Sequence, residues 1–77
     1  MFSQSEENYL KAIYTLETVA KADVSTNLIA TKTQTKASSV TDMIKKLSDK
    51  KLVVYKKYQG VQLSNKGRKI AISIVRR

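Results

Sequence analysis

Between Ala37 and Lys50 the sequence sorts its side chains by chemistry. At roughly 100° per residue, Val40, Met43, Ile44 and Leu47 gather on one side of a helix, whereas Ser38, Asp42, Lys45 and Asp49 fall opposite, flanked by Ser39, Thr41 and Lys46. Short hydroxyl side chains in the first exposed turn let a helix backbone approach hydrogen-bonding edges closely, and lysines farther along reach anionic groups. That is the chemistry of recognition, and it breaks no bond. An ordinary surface helix is two-sided in the same way, so the charge around the segment has to decide between the two readings.

The inventory for catalysis is poor. Acid–base and nucleophilic mechanisms need a tunable proton carrier or an activated nucleophile, and the chain contains neither histidine nor cysteine. Its six carboxylates are scattered, apart from the adjacent Glu6 and Glu7, which suit a helix N-terminus. No glycine-rich phosphate loop and no calcium-loop spacing is present. The sequence therefore reads as a non-enzyme with no metal site of its own.

Charge supplies the direction. Residues 1–31 carry two lysines against four carboxylates, while residues 32–77 carry thirteen basic residues against Asp42 and Asp49 alone, within a formal total of +9. So lopsided a field attracts polyanions, nucleic acid first and an acidic membrane surface second. The basic residues are spread over several predicted elements, which is unlike the single polar face of a membrane-surface helix. The alternative is a basic protein-interaction or assembly module, its charge serving solubility and Ile72 and Val75 meeting a partner.

These residues need a scaffold, and 77 residues without proline allow one small core. A first helix opens with the capping box Ser3-Gln4-Ser5-Glu6 and places Phe2, Tyr9, Ile13, Leu16 and Ala20 on one face. Ser25 caps a second helix of about two turns around Leu28 and Ile29. Threonine-rich 31–35 reads as a turn, and the helix at about 37–50 follows.

Strand-forming residues 52–57, a turn at Tyr58-Gln59-Gly60 and a returning strand at 61–64 then form a β-hairpin with Lys56, Lys57, Tyr58 and Gln59 at or beside its tip. Whether Val53 or Val54 faces inward stays open. Ser64 caps a last helix whose stripe is Gly67, Ile70, Ala71 and Ile74. The fold expected is mainly α with a small β-hairpin, a winged helix-turn-helix in the order α-α-α-β-β-α. In that arrangement the third helix enters the major groove of double-stranded DNA and the hairpin lies on the backbone or minor groove.

Three segments carry a closer likeness: residues 5–14 (SEENYLKAIY), 37–47 (ASSVTDMIKKL) and 58–68 (YQGVQLSNKGR). Together they resemble the N-terminal DNA-binding domain of the diphtheria toxin repressor and manganese transport regulator family. The resemblance implies the operator-reading domain of a cytoplasmic, metal-dependent transcription repressor, controlled by Fe²⁺ or Mn²⁺ and homodimeric at full length. It puts Lys36, Ala37, Ser38, Ser39, Thr41 and Asp42 at the DNA-reading positions, joined by Lys45, Lys46 and the hairpin tip.

It also implies a single winged-helix domain over 1–77 followed by a helical domain with most metal ligands and the dimer interface. The ending Ile74-Val75-Arg76-Arg77, without a helix stop signal, fits a chain cut before that domain. Where family members carry an Asp or Met ligand in the first helix this chain has Asn8, and a second ligand position holds Lys11. A neutral amide is a poor ligand and an ammonium is none.

Overall fold

Ser3 and Glu6 satisfy each other's free backbone amides at the start of the chain. In the computed structural model, which describes residues 3–20, 24–56 and 60–76, the Ser3 N–H donates to Glu6 Oε1 (3.2 Å) and the Glu6 N–H donates to Ser3 Oγ (3.1 Å). This capping box launches α1 (Gln4–Ala20). Tyr9 and Ile13 are buried as the helical spacing predicts, but so are Leu10 and Ala12, while Leu16 is half-buried. The apolar surface is wider than one stripe because α1 is packed on several sides, by three other helices and the second hairpin strand. Phe2 and the Ala20 side chain lie outside what is described.

Helix α2 (Thr26–Thr33) starts at Ser25, whose Oγ accepts from the Leu28 N–H at 3.1 Å. Ile29 is fully buried, and Leu28 lies exposed. The threonine run expected to be a turn is helical as far as Thr33. Thr31 and Thr33 each donate a hydroxyl to the carbonyl four residues back, at 3.0 and 2.7 Å, which accommodates β-branched side chains within a helix. The turn thus shrinks to the three residues before α3. Gln34 takes the left-handed conformation (φ 57°, ψ 43°), and the Thr35 N–H reaches back to the Ala30 carbonyl at 3.0 Å, closing α2 with a Schellman motif.

Helix α3 (Ala37–Asp49) buries Val40, Ile44 and Leu47, with Met43 half-buried against the core. A second left-handed residue, Lys51 (φ 62°), follows it, and the Leu52 N–H donates to the Leu47 carbonyl at 2.9 Å. Both helices of the helix-turn-helix therefore end in the same way, without the glycine usual at that place.

Strands β1 (Val53–Lys56) and β2 (Gly60–Leu63) pair antiparallel, with Val53 opposite Leu63 and Tyr55 opposite Val61. Val53 is the buried valine and Val54 faces outward, which resolves the choice the sequence left open. Val24 adds a bridge that the pattern did not announce: its N–H and C=O exchange hydrogen bonds with Val61 at 2.9 and 2.7 Å. Gly60 (φ 115°) permits this approach, since a Cβ there would lie 2.6 Å from the Val24 carbonyl oxygen.

Helix α4 (Asn65–Val75) is capped by Ser64, whose Oγ accepts from the Gly67 N–H (3.0 Å) and donates to the Lys51 carbonyl (2.7 Å). Gly67 lies so close to the hairpin entry that a Cβ would sit 1.9 Å from the Leu52 oxygen. Ala71 is buried, with Ile70 and Ile74 packed against the core. Ile72, expected on the outside, is half-buried, whereas Val75 is exposed. The result among the described residues is a single core around Leu10, Ile13, Val24, Ile29, Val40, Leu47, Leu52 and Val61, roofed by the hairpin. The winged helix-turn-helix order α-α-α-β-β-α is the one found.

Candidate nucleic-acid interface

The face of α3 away from the core is exposed along its length: Ala37, Ser38, Ser39, Thr41, Asp42, Lys45 and Lys46, with Lys36 just before it. Because Val40, Ile44 and Leu47 fix the opposite side, these groups are held on a rigid rod instead of a loop. Thr41 donates its hydroxyl to the Ala37 carbonyl at 3.1 Å, so it presents a methyl and an acceptor outward. Thymine offers a methyl, and cytosine or adenine an amino donor, in the major groove.

Helix α1 sets where this rod begins. The Tyr9 hydroxyl, at the end of a buried ring, pairs with Thr35 Oγ1 at 2.9 Å, and Thr33 Oγ1 pairs with Thr35 Oγ1 at 2.8 Å. Tyr9 is thus a core residue, as its place on the apolar face of α1 implied, and its polar end holds the turn before α3. At the other end of α3, Lys50 donates to the buried Glu6 carboxylate. That hydrogen bond, then the Ser3 backbone N–H, hold Glu6 down from 4.5 to about 2 against the opposing effect of burial.

Not every cation of the basic half faces outward for binding. Besides Lys50, Arg68 of α4 is paired with Glu17 of α1, whose second oxygen accepts from the Leu63 N–H at 3.2 Å. Neither pair is visible in the sequence, because the partners stand 44 and 51 positions apart. No local spacing reveals a contact of that range.

The hairpin brings Lys56, exposed at the end of β1, to the same basic half. Lys57, Tyr58 and Gln59, the remaining tip residues named from the sequence, lie outside the described residues. Between α3 and β1 runs a cleft of about 290 Å³ lined by Thr41, Ile44, Lys45, Ser48, Asp49 and Tyr55. In the sequence Tyr55 signals no more than strand propensity. Tyr55 shares its side of β1 with Val53, and the sequence left that side undecided between Val53 and Val54.

Residues 1–61 match the family model described as the iron dependent repressor, N-terminal DNA binding domain. The chain belongs to that family. The match runs from the N-terminus through α1, α2, α3 and β1 and ends at the second residue of β2. Proteins named HTH-type transcriptional regulator MntR from Geobacillus kaustophilus and Bacillus subtilis are 42% and 40% identical to it over 78 residues. Those alignments take in the whole chain, which spans about half the length of these curated relatives, 54% in each case. A solved structure, ScaR with bound Zn²⁺, superposes on 92% of the chain and 32% of its own, with a TM-score of 0.76 at 31% identity. The chain is accordingly a DNA-binding domain of the iron-dependent repressor family, a family of transcriptional regulators and not of enzymes.

A metal is implied by that family, and the residues present do not suit one. Asn8 and Lys11 line a polar depression between α1 and the end of α2 together with Ala12, Thr15, Lys32, Thr33 and Gln34. Two ammonium groups and no carboxylate there repel a divalent cation. Among the described residues no group of three His, Cys, Asp or Glu side chains comes together. Among them, too, no helix is long and apolar enough to cross a membrane.

Proposed function

We propose that this chain reads operator sequences in double-stranded DNA, with α3 in the major groove and the β1–β2 hairpin against the backbone. Ser38, Ser39, Thr41 and Asp42 meet base edges; Lys36, Lys45, Lys46 and Lys56, with Lys57, Tyr58 and Gln59 of the tip, meet phosphate and sugar. Ala37 contributes by being small enough to let the helix approach. The single observation that carries the reading is the exposed polar face of α3, backed by a buried apolar one and set in the basic half of the chain.

In its full-length form the protein acts in the cytoplasm as a homodimeric repressor responsive to Fe²⁺ or Mn²⁺, the chain 1–77 being one winged-helix domain and further sequence supplying metal ligands and dimer contacts. Two-fold symmetry would match a palindromic operator with half-sites about one or two helical turns apart.

Fluorescence anisotropy with a labelled duplex tests the DNA reading. Affinity should fall steeply with salt, with a slope in log–log form of about −0.9 per phosphate neutralised. Replacing Ser38 or Thr41 by alanine should flatten the preference among sequences, while replacing Lys56 or Lys57 should weaken all duplexes alike. No salt-dependent binding to any duplex would refute it. The competing interaction module would instead show self-association by sedimentation, unaffected by DNA.

A further inference from the structure

The geometry points to the α3–β1 cleft as the seat of one sugar–phosphate strand of the duplex, with Tyr55 as a positioning residue that packs on deoxyribose; this rests on the DNA reading above. Strand alternation puts Tyr55 on the inward side of β1 with Val53, yet Val53 is 3% exposed and Tyr55 is 53% exposed. The core ends between them. Tyr55 therefore closes one wall of an open cleft whose other wall is the C-terminal half of α3, with Ile44 at its inner edge.

The chemistry of that cleft fits a backbone better than a base. An aromatic ring, an apolar inner edge and the methyl of Thr41, whose hydroxyl is given to the Ala37 carbonyl, suit the C–H face of a sugar, and the Ser48 hydroxyl and the Lys45 ammonium stand beside them for phosphate oxygens. The cleft lies C-terminal to Ala37, Ser38 and Ser39, so a strand seated there runs past the base-reading turn between helix and hairpin. Asp49 is the opposing element. As the one carboxylate lining the cleft, it repels a phosphate at its end and limits how far the strand enters.

Anisotropy with a mixed-sequence duplex at constant low salt separates this from the general reading, using the chain itself and its Y55A, Y55F, K45A and D49N variants, each checked by circular dichroism. Y55A should bind about fivefold more weakly. Its salt slope should equal that of the parent, because an uncharged ring releases no counterion. Y55F should retain most of the affinity, and D49N should bind about threefold more tightly. K45A should bind more weakly with a slope shallower by about 0.9.

Parent-like binding by Y55A, with K45A impaired, would overturn the cleft assignment while leaving DNA binding intact. Loss of all duplex binding by the parent would overturn both. Should Y55A fail to fold, nuclear Overhauser contacts in the unaltered chain decide. Tyr55 ring protons should contact deoxyribose protons of bound duplex, and ring contacts confined to the protein would refute the assignment.

Discussion

Lys50, one residue past α3, donates to the carboxylate of Glu6 in the first turn of α1, joining the two ends of the helical scaffold across 44 positions. The same carboxylate completes the capping box with Ser3, so one buried side chain both starts α1 and fixes the exit of α3.

This arrangement makes the domain acid-sensitive in a definite range. Because the folded-state pKa of Glu6 is lowered from 4.5 to about 2, its contribution is complete above its ordinary value and is lost as pH falls toward 2. Glu6→Gln should cost about 1–2 kcal/mol at neutral pH, the partial exposure of Lys50 keeping the figure low. Urea denaturation at several pH values should show parent and variant converging as pH drops from 5 to 2; a constant gap would contradict it.

The left-handed Gln34 offers a stabilising change. A non-glycine residue at that conformation carries steric strain, which Gln34→Gly removes at the expense of a more flexible unfolded chain. A net gain of about 0.5–1 kcal/mol is expected. Thermal denaturation should show a raised Tm, with duplex affinity unchanged.

Gly67→Ala should act in the opposite sense. With the Leu52 carbonyl 1.9 Å from the position of the new Cβ, either α4 or the hairpin entry must move. A loss of about 3 kcal/mol or more is expected, enough to unfold much of a domain this small. Retained stability in a urea titration would show that α4 is placed otherwise.

Chelation should leave this chain indifferent. With Asn8 and Lys11 at the helix-one positions and no donor cluster among the described residues, EDTA or added Mn²⁺ should shift its duplex Kd by less than about twofold, apart from the ionic-strength effect. A larger, saturable Mn²⁺ response would require donors that this reading does not assign.

Local patterns in the sequence were enough for much of this fold. Ser3, Ser25 and Ser64 each announced a helix start, and the spacing of Val40, Ile44 and Leu47 gave the orientation of α3 and hence its outward-facing residues. What escaped was non-local or compensated. Thr31 and Thr33 bond back to their own helix and so lengthen α2 beyond what propensity allows. The Val24–Val61 bridge, the Lys50–Glu6 and Arg68–Glu17 pairs and the cleft beside Tyr55 depend on segments meeting in space, which no window of sequence reports.

Backbone amide shifts recorded during titration with duplex show whether α3 and the hairpin share one DNA-facing surface. On a shared surface the changes cluster on residues 36–49 and at Tyr55 and Lys56, with Val19 and Val75 on α1 and α4 undisturbed. Changes centred on Val19 and Val75, with α3 silent, would contradict it.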